Sequence, residues 1–177
     1  GDLGYLDKDN FLYVLGREKS LLISNDGEKY SPEGIEEALM SQSPYIDQMM
    51  LHNSQSAYTV ALMVLNQALV ERYLADKGLK FSDEDGQNAV IKLIESEINE
   101  YRDGQYAGEF PTKWLPASFA ILGVGFTEEN KFMNSTMKMV RGKITEFYKS
   151  RIDYMYTSEG KDVLNQQNKT IVARFKE

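Results

Sequence analysis

Residues 16 to 36 read GREKSLLISNDGEKYSPEGIE, and this stretch decides the fold. Leu21-Leu22-Ile23-Ser24 is a short β-prone run. Asn25-Asp26-Gly27 follows it, and Lys29-Tyr30 resumes an extended pattern. Asp-Gly between two extended runs predicts a hairpin, because the turn needs positive φ and glycine adopts it without a Cβ clash. Ser31-Pro32-Glu33 then reads as a helix start. Serine can cap, proline suits the first helical position, and a glutamate there meets the positive end of the helix dipole. Ile35, Ala38 and Leu39 give that helix an apolar side.

Upstream, Phe11 to Leu15 is a further strand candidate. Downstream, Tyr45–Leu51 and Tyr58–Leu65 read as strands joined across residues 52–56, packed against the first helix. Asn66 is placed to cap a helix carrying Leu69, Val70, Tyr73 and Leu74, which Lys77-Gly78 ends. Ser82-Asp83-Glu84-Asp85 opens another helix, with Val90, Ile91, Ile94, Ile98 and Tyr101 at helical spacing. From Arg102 to Pro116 the pattern fades into a loop. Phe119 to Val124 is a buried-strand run, and Thr127 to Thr136 a polar loop. From Lys138 a helix is expected through Val140, Ile144, Phe147, Tyr148, Ile152 and Met155. A polar tail follows Tyr156, with a helical stretch around Val163 and Leu164. The sum is an α+β fold: a leading β-hairpin, then a small three-stranded sheet packed with helices.

The chain has 177 residues, 42% of them hydrophobic and 27% charged, a composition that supports an ordinary globular core. The net charge of −7 argues against a nucleic-acid partner, which needs a basic face. There is no cysteine, which excludes disulfides, thiolate metal sites and a cysteine nucleophile. With His52 the single histidine, neither a multi-histidine metal centre nor a serine–histidine–aspartate triad is expected. The acidic run at 82–85 reads as a helix start, so no metal-binding residues are assigned. The N-terminus reads Gly1-Asp2-Leu3-Gly4-Tyr5, with no Met, no basic region and no apolar signal core, and is expected to lie inside a larger protein. No apolar run approaches the roughly 18 residues of a membrane span.

Gly16, Arg17, Lys19, Gly27, Pro32, Ile35 and Glu36 together resemble the junction signature of the acyl-CoA synthetase, luciferase and adenylation-domain superfamily. Gly1-Asp2-Leu3-Gly4 is similar to the end of that family's Thr-Gly-Asp motif. Residues 133–141, Met-Asn-Ser-Thr-Met-Lys-Met-Val-Arg, resemble its C-terminal lysine motif in the form typical of long-chain fatty acid–CoA ligases. Thr136, Lys138 and Arg141 stay in register, while Met133, Asn134 and Ser135 depart from the Leu-Thr-Pro of the family pattern. The resemblance implies a division into residues 1–18, the end of a large N-terminal adenylate-forming domain with its linker, residues 19–156, a mobile C-terminal domain, and residues 157–177, a polar helical tail.

The resemblance also implies chemistry. Lys138 matches the lysine that stabilises charge on the α-phosphate as a carboxylate displaces pyrophosphate from ATP. Asp2 matches the carboxylate that binds the ribose hydroxyls, and Arg17 a basic residue near the same ribose. Lys19 matches the hinge, and Gly27 the hairpin that faces the site when the CoA thiol enters. The implied parent uses ATP, Mg2+ and CoA, with a fatty acid as substrate and the missing N-terminal adenylation domain as partner. A cytoplasmic location is implied, compatible with peripheral membrane contact of the parent. The chain lacks a Gly-rich Ser/Thr loop for ATP phosphates, so alone it is expected to be inactive.

Two other readings stay open. The parent could load a carrier-protein thiol instead of CoA, or the chain could be a non-catalytic binding or regulatory module with this fold. Each residue also has a plain structural role available. Asp2 could be a turn residue, Arg17 a solvated strand-end charge, Gly27 a hairpin glycine alone, and Lys138 and Lys143 two solvated helix-start lysines. Trp114 and the tyrosines read as core or loop anchors.

Overall fold

The computed structural model describes residues 1–176, side chains at positions 15 and 16 excepted. The chain opens with β1 (Asp2–Leu6) and β2 (Leu12–Arg17), paired antiparallel. β1 carries no clear strand pattern in the sequence, because Asp2 and Gly4 interrupt it. A Cβ at Gly4 would lie 2.7 Å from the Tyr13 carbonyl oxygen, so the ribbon closes there only without a side chain. Tyr5 and Tyr13 stack across the pair at 5.1 Å. Leu6, Phe11, Leu12 and Val14 remain exposed.

After a 3-10 turn at Glu18–Ser20 come β3 (Leu22–Ser24) and β4 (Lys29–Tyr30), antiparallel about the Asp26-Gly27 turn. Gly27 has φ of +85°, the conformation for which its residue type was read. Helix α1 (Pro32–Gln42) follows. Proline occupies its start as expected, but the Ser31 side chain makes no capping hydrogen bond. The main sheet contains β5 (Ile46–His52) and β7 (Val60–Leu65), antiparallel, with β8 (Ser118–Leu122) parallel to β7. The connection from β5 to β7 is not a bare loop: β6 (Ser54–Ser56) leaves the main sheet and pairs parallel with β3.

Strand alternation divides the core in two. Met49, Leu51, Ala61, Met63, Leu65, Phe119 and Ile121 face one side. There they pack on α1, α2 (Gln67–Asp76) and α3 (Glu84–Arg102). Met50, Val60, Leu62, Ala120 and Leu122 face the other side. They meet Phe126 and Phe132 of the following loop, and Ile144, Ile152 and Met155 of α4 (Arg141–Phe147) and α5 (Lys149–Met155). Burial on both faces is why β7 and β8 read as unbroken apolar runs. The α2 and α3 expectations hold, and Asn66 does cap α2 by accepting from the Leu69 amide at 3.1 Å.

Two helical expectations shift. The helix expected from Lys138 begins at Arg141, because residues 134–138 form a closed loop. The tail forms α6 (Ser158–Lys161) and α7 (Gln166–Ala173), while Val163 and Leu164 lie in the turn between them. Asp162 holds that turn by accepting from the Leu164 amide, and Asn165 caps α7.

The tail packs into the main core through Val163, Val172 and Phe175. Its Asn168 is fully buried and serves as a surrogate strand beside β8. Its Oδ1 accepts from the Ile121 amide at 2.9 Å, and its Nδ2 donates to the carbonyls of Phe119 and Val163. Arg151 of α5 donates to the same Asn168 oxygen and to the Ile121 carbonyl. Asn168→Ala leaves these buried groups unpaired, so urea unfolding should show a loss of about 3 kcal/mol.

His52 ends β5, and burial holds its pKa below the ordinary 6.5, with Asp153 opposing weakly. The unfolded chain therefore binds a proton more readily than the folded one. Stability should be full above pH 6.5 and fall as pH drops from there to the depressed folded value. His52→Gln should flatten the stability profile just below pH 6.5, as read by thermal melts against pH.

Candidate functional site

The centre of the site is a loop that a single side chain closes. Asn134 Oδ1 accepts from the Thr136 amide at 3.0 Å, the Thr136 hydroxyl at 2.8 Å and the Lys138 amide at 2.9 Å. The Asn134 amide returns a bond to the Lys138 carbonyl at 2.9 Å. Met137, at the tip, takes φ of +58°. Asn134, which departs from the family pattern, is thus the residue that shapes the loop. Lys138 emerges from it exposed, and its ammonium makes no ion pair among the described residues.

Three residues on, Arg141 anchors the loop to the core. Its guanidinium makes a forked pair with Glu36 of α1, with Nη1 to Oε1 at 2.8 Å. Glu36 is 3% exposed and Arg141 19%. Glu36 Oε1 also accepts from the Leu51 amide at 2.7 Å, so one carboxylate joins α1, β5 and the start of α4. The Val140 amide donates to the Phe132 carbonyl at 2.8 Å and fixes the other side of the turn.

In the sequence Glu36 stands out only as a motif position. The signal for its burial was present: Pro32, Ile35, Glu36 and Leu39 follow i, i+3, i+4, i+7, the spacing of a buried helical stripe. An acid on that stripe demands a buried partner.

Arg17, Lys19, Lys138 and Arg141 line one cleft of about 550 Å3, together with Glu33, Glu36, Glu37 and Asp47. The structure therefore brings together three of the sequence-derived site residues: Arg17, Lys19 and Lys138. Arg17 ends β2, and Lys19 lies in the 3-10 turn. Asp2 is across the ribbon from Arg17, at 3.9 Å between charged atoms, and both are more than half exposed. Asp2 does not line the cleft. Gly27 is apart from it too, at the tip of the β3–β4 hairpin. Among the described residues there is no cluster of three or more histidine, cysteine or carboxylate side chains able to hold a metal. No described helix is long and apolar enough to cross a membrane.

The chain is similar to human long-chain-fatty-acid–CoA ligase ACSBG1, with 30% identity over 179 residues, covering 90% of this chain and 24% of that protein. It resembles one segment of the long-chain fatty-acid–CoA ligases. Long chain acyl-CoA synthetase 8 of Arabidopsis thaliana is 26% identical over 162 residues, covering 88% of this chain and 22% of its own length. The chain thus spans about a quarter of the length of these relatives. Among solved structures, the adenylation domain of a carboxylate reductase from Mycobacterium chelonae superposes with a TM-score of 0.72. It is 26% identical, and the match covers 88% of this chain and 22% of that one. No protein-family model matches. The ligase-like segment has the α+β fold of its adenylation-domain neighbour.

Breaking the buried pair from one side leaves a charge without compensation. Arg141→Met should destabilise the chain by about 3 kcal/mol in chemical denaturation. The double variant Glu36→Gln with Arg141→Met should recover part of that loss, because the stranded carboxylate is gone.

Proposed function

We propose that this chain is the mobile small domain of an AMP-forming ligase that activates long-chain fatty acids with ATP and transfers the acyl group to CoA. The observation that carries the reading is the cleft: Arg17, Lys19 and an unpaired Lys138 converge on it in a chain similar to fatty-acid–CoA ligases. In this reading residues 1–18 belong to the large domain and its linker, 19–156 form the mobile domain, and 157–177 close its sheet edge. The exposed apolar face of the β1–β2 ribbon suits contact with that large domain.

Each site residue then has a physical task. Lys138 is a compact cation on a long, unencumbered stem. Placed beside the α-phosphate, it stabilises the charge that builds as the carboxylate oxygen attacks and pyrophosphate leaves. A rigid loop limits the reorganisation this requires, and Asn134 with the Glu36–Arg141 pair makes the loop rigid. Asp2 accepts from the ribose hydroxyls, with Arg17 alongside. Lys19 is the hinge that exchanges the Lys138 face for the Gly27 face. ATP, Mg2+ and CoA bind in the assembled enzyme, with Mg2+ arriving on the nucleotide phosphates. Peripheral contact with a bilayer would deliver the long-chain substrate.

The test is fatty-acid-dependent pyrophosphate release by the full-length protein. Lys138→Ala should lower it by roughly two or more orders of magnitude, as for loss of a transition-state charge contact. Release dependent on acid but indifferent to free CoA, with acyl transfer to a carrier protein, would favour the carrier-loading reading. Equal rates in both proteins would remove Lys138 from the chemistry.

A further inference from the structure

The Asp26-Gly27 turn is gripped by a segment that lies far away in sequence. Lys113 Nζ meets Asp26 Oδ2 at 2.8 Å and also pairs with Glu28. The other Asp26 oxygen accepts from the Ser24 hydroxyl and, at 3.1 Å, from the Glu28 amide. Both carboxylate oxygens are therefore committed, and the turn is closed from within and from outside. The neighbouring Trp114 stacks on Tyr30 of β4, with ring centroids 5.1 Å apart and planes 5° from parallel. The Thr59 hydroxyl donates to the Lys113 carbonyl at 3.1 Å, which leaves its oxygen to accept from Tyr30 OH.

The 3-10 turn at Thr112–Trp114 thus holds the hairpin by charge, by stacking and by a hydrogen-bond relay. The Lys113 contact drives Asp26 well below the usual carboxylate range, and Lys113 is pushed up to about 12. The pair stays ionised across the whole neutral range. Neither Lys113 nor the residues of the Asp26 turn line the cleft of Lys138, which has its own anchors in Asn134 and Arg141.

We propose that Lys113 is a positioning residue that holds the Asp26-Gly27 turn for acyl transfer to the thiol, without a part in adenylate formation. The proposal rests on the ligase reading. In the step concerned, the thiol sulfur attacks the acyl carbonyl carbon and a C–S bond forms. The C–O bond to the adenylate phosphate breaks, AMP leaves as the anion, and the thiol proton passes to solvent. A turn that lets the thiol pass close to backbone must keep its shape as the domain rotates. Gly27 has the required freedom but no rigidity of its own, and the distant lysine supplies that rigidity.

The experiment compares Lys113→Met and Lys113→Arg with the parent sequence in the full-length protein, reading the two half-reactions separately. In Lys113→Met, kcat for acyl-CoA formation at saturating CoA should fall about tenfold or more. Fatty-acid-dependent pyrophosphate exchange should stay within about twofold of the parent. Lys113→Arg should restore most of the transfer rate. Rising ionic strength should slow transfer more than exchange, since the pair is half-exposed and screened by salt. Equal losses in both half-reactions would make Lys113 merely structural, and no loss in either would show that the turn needs no grip. Hydrogen exchange on the 177-residue chain separates this from the ligase reading. Amides of Gly27 and Glu28 should lose protection in Lys113→Met and regain it in Lys113→Arg. Unchanged protection overturns the proposal whatever the activity. Absence of pyrophosphate exchange in the parent sequence overturns the ligase reading, and the transfer role with it.

Discussion

The ion pair between Glu36 and Arg141 is the constraint on which the arrangement of the site depends. A carboxylate at 3% exposure is tolerated only if its charge and lone pairs are met. One partner is the Leu51 amide and the other is a guanidinium 105 residues further along the chain. Because Arg carries a rigid planar fork, the pair specifies direction as well as distance. Helix α1, strand β5 and the start of α4 are thereby locked to one geometry. The Lys138 loop is three residues from that lock, so its position follows from the core. A hydrophobic pair could fill the same volume, but it would not specify the angle at which the loop leaves.

The Lys138 loop and the Gly27 turn are held by different physics. Around Lys138 the holding groups are neutral or buried: an asparagine carbonyl taking three hydrogen bonds, and an ion pair shielded from solvent. Around Gly27 they are exposed charges reinforced by an aromatic stack. The first kind resists salt and the second does not. In the proposed function, a loop that stabilises developing charge would benefit from an environment insensitive to bulk ions. In the same proposal, the Gly27 turn would need holding at its edges while its backbone stays open.

How much of this was legible follows from the range over which each interaction acts. Local features read correctly: the Asp26-Gly27 turn, Pro32 at the head of α1, the Asn66 cap, and the stripe from Val90 to Tyr101. Each depends on residues a few positions apart. The boundary of α4 was misplaced because the asparagine that closes the preceding loop acts through its side chain, and hydrophobic periodicity does not register that. Strand β1 is hidden by Gly4, whose use is close backbone approach to Tyr13. The grip of Lys113 had no local signal at all, since its partner is 87 residues away and its own segment reads as loop. The tail read as polar for a related reason. Asn168 counts as hydrophilic in any window, yet it is buried because it completes the open edge of β8.

The 3-10 turn at Glu18–Ser20 shows why a hinge at Lys19 is physically reasonable. None of its three residues is buried, and the Arg17 side chain caps nothing. Backbone rotation there would break no core contact. The ribbon before it is tied back by an Asp2–Arg17 pair at 3.9 Å between exposed groups, and by the Glu18 amide donating to the Gly1 carbonyl. These contacts lie on the ribbon side of Lys19 and would travel with it. On the other side, β3 is committed to both β4 and β6, and through Tyr30 and Thr59 to the segment of Lys113. Stiffness therefore rises abruptly across a few residues. Under the proposed hinge, motion concentrated at such a step would carry the Lys138 loop and the Gly27 turn together as one body, because the first is tied to α1 and β5 through Glu36 and the second to the start of β7 through Tyr30 and Thr59.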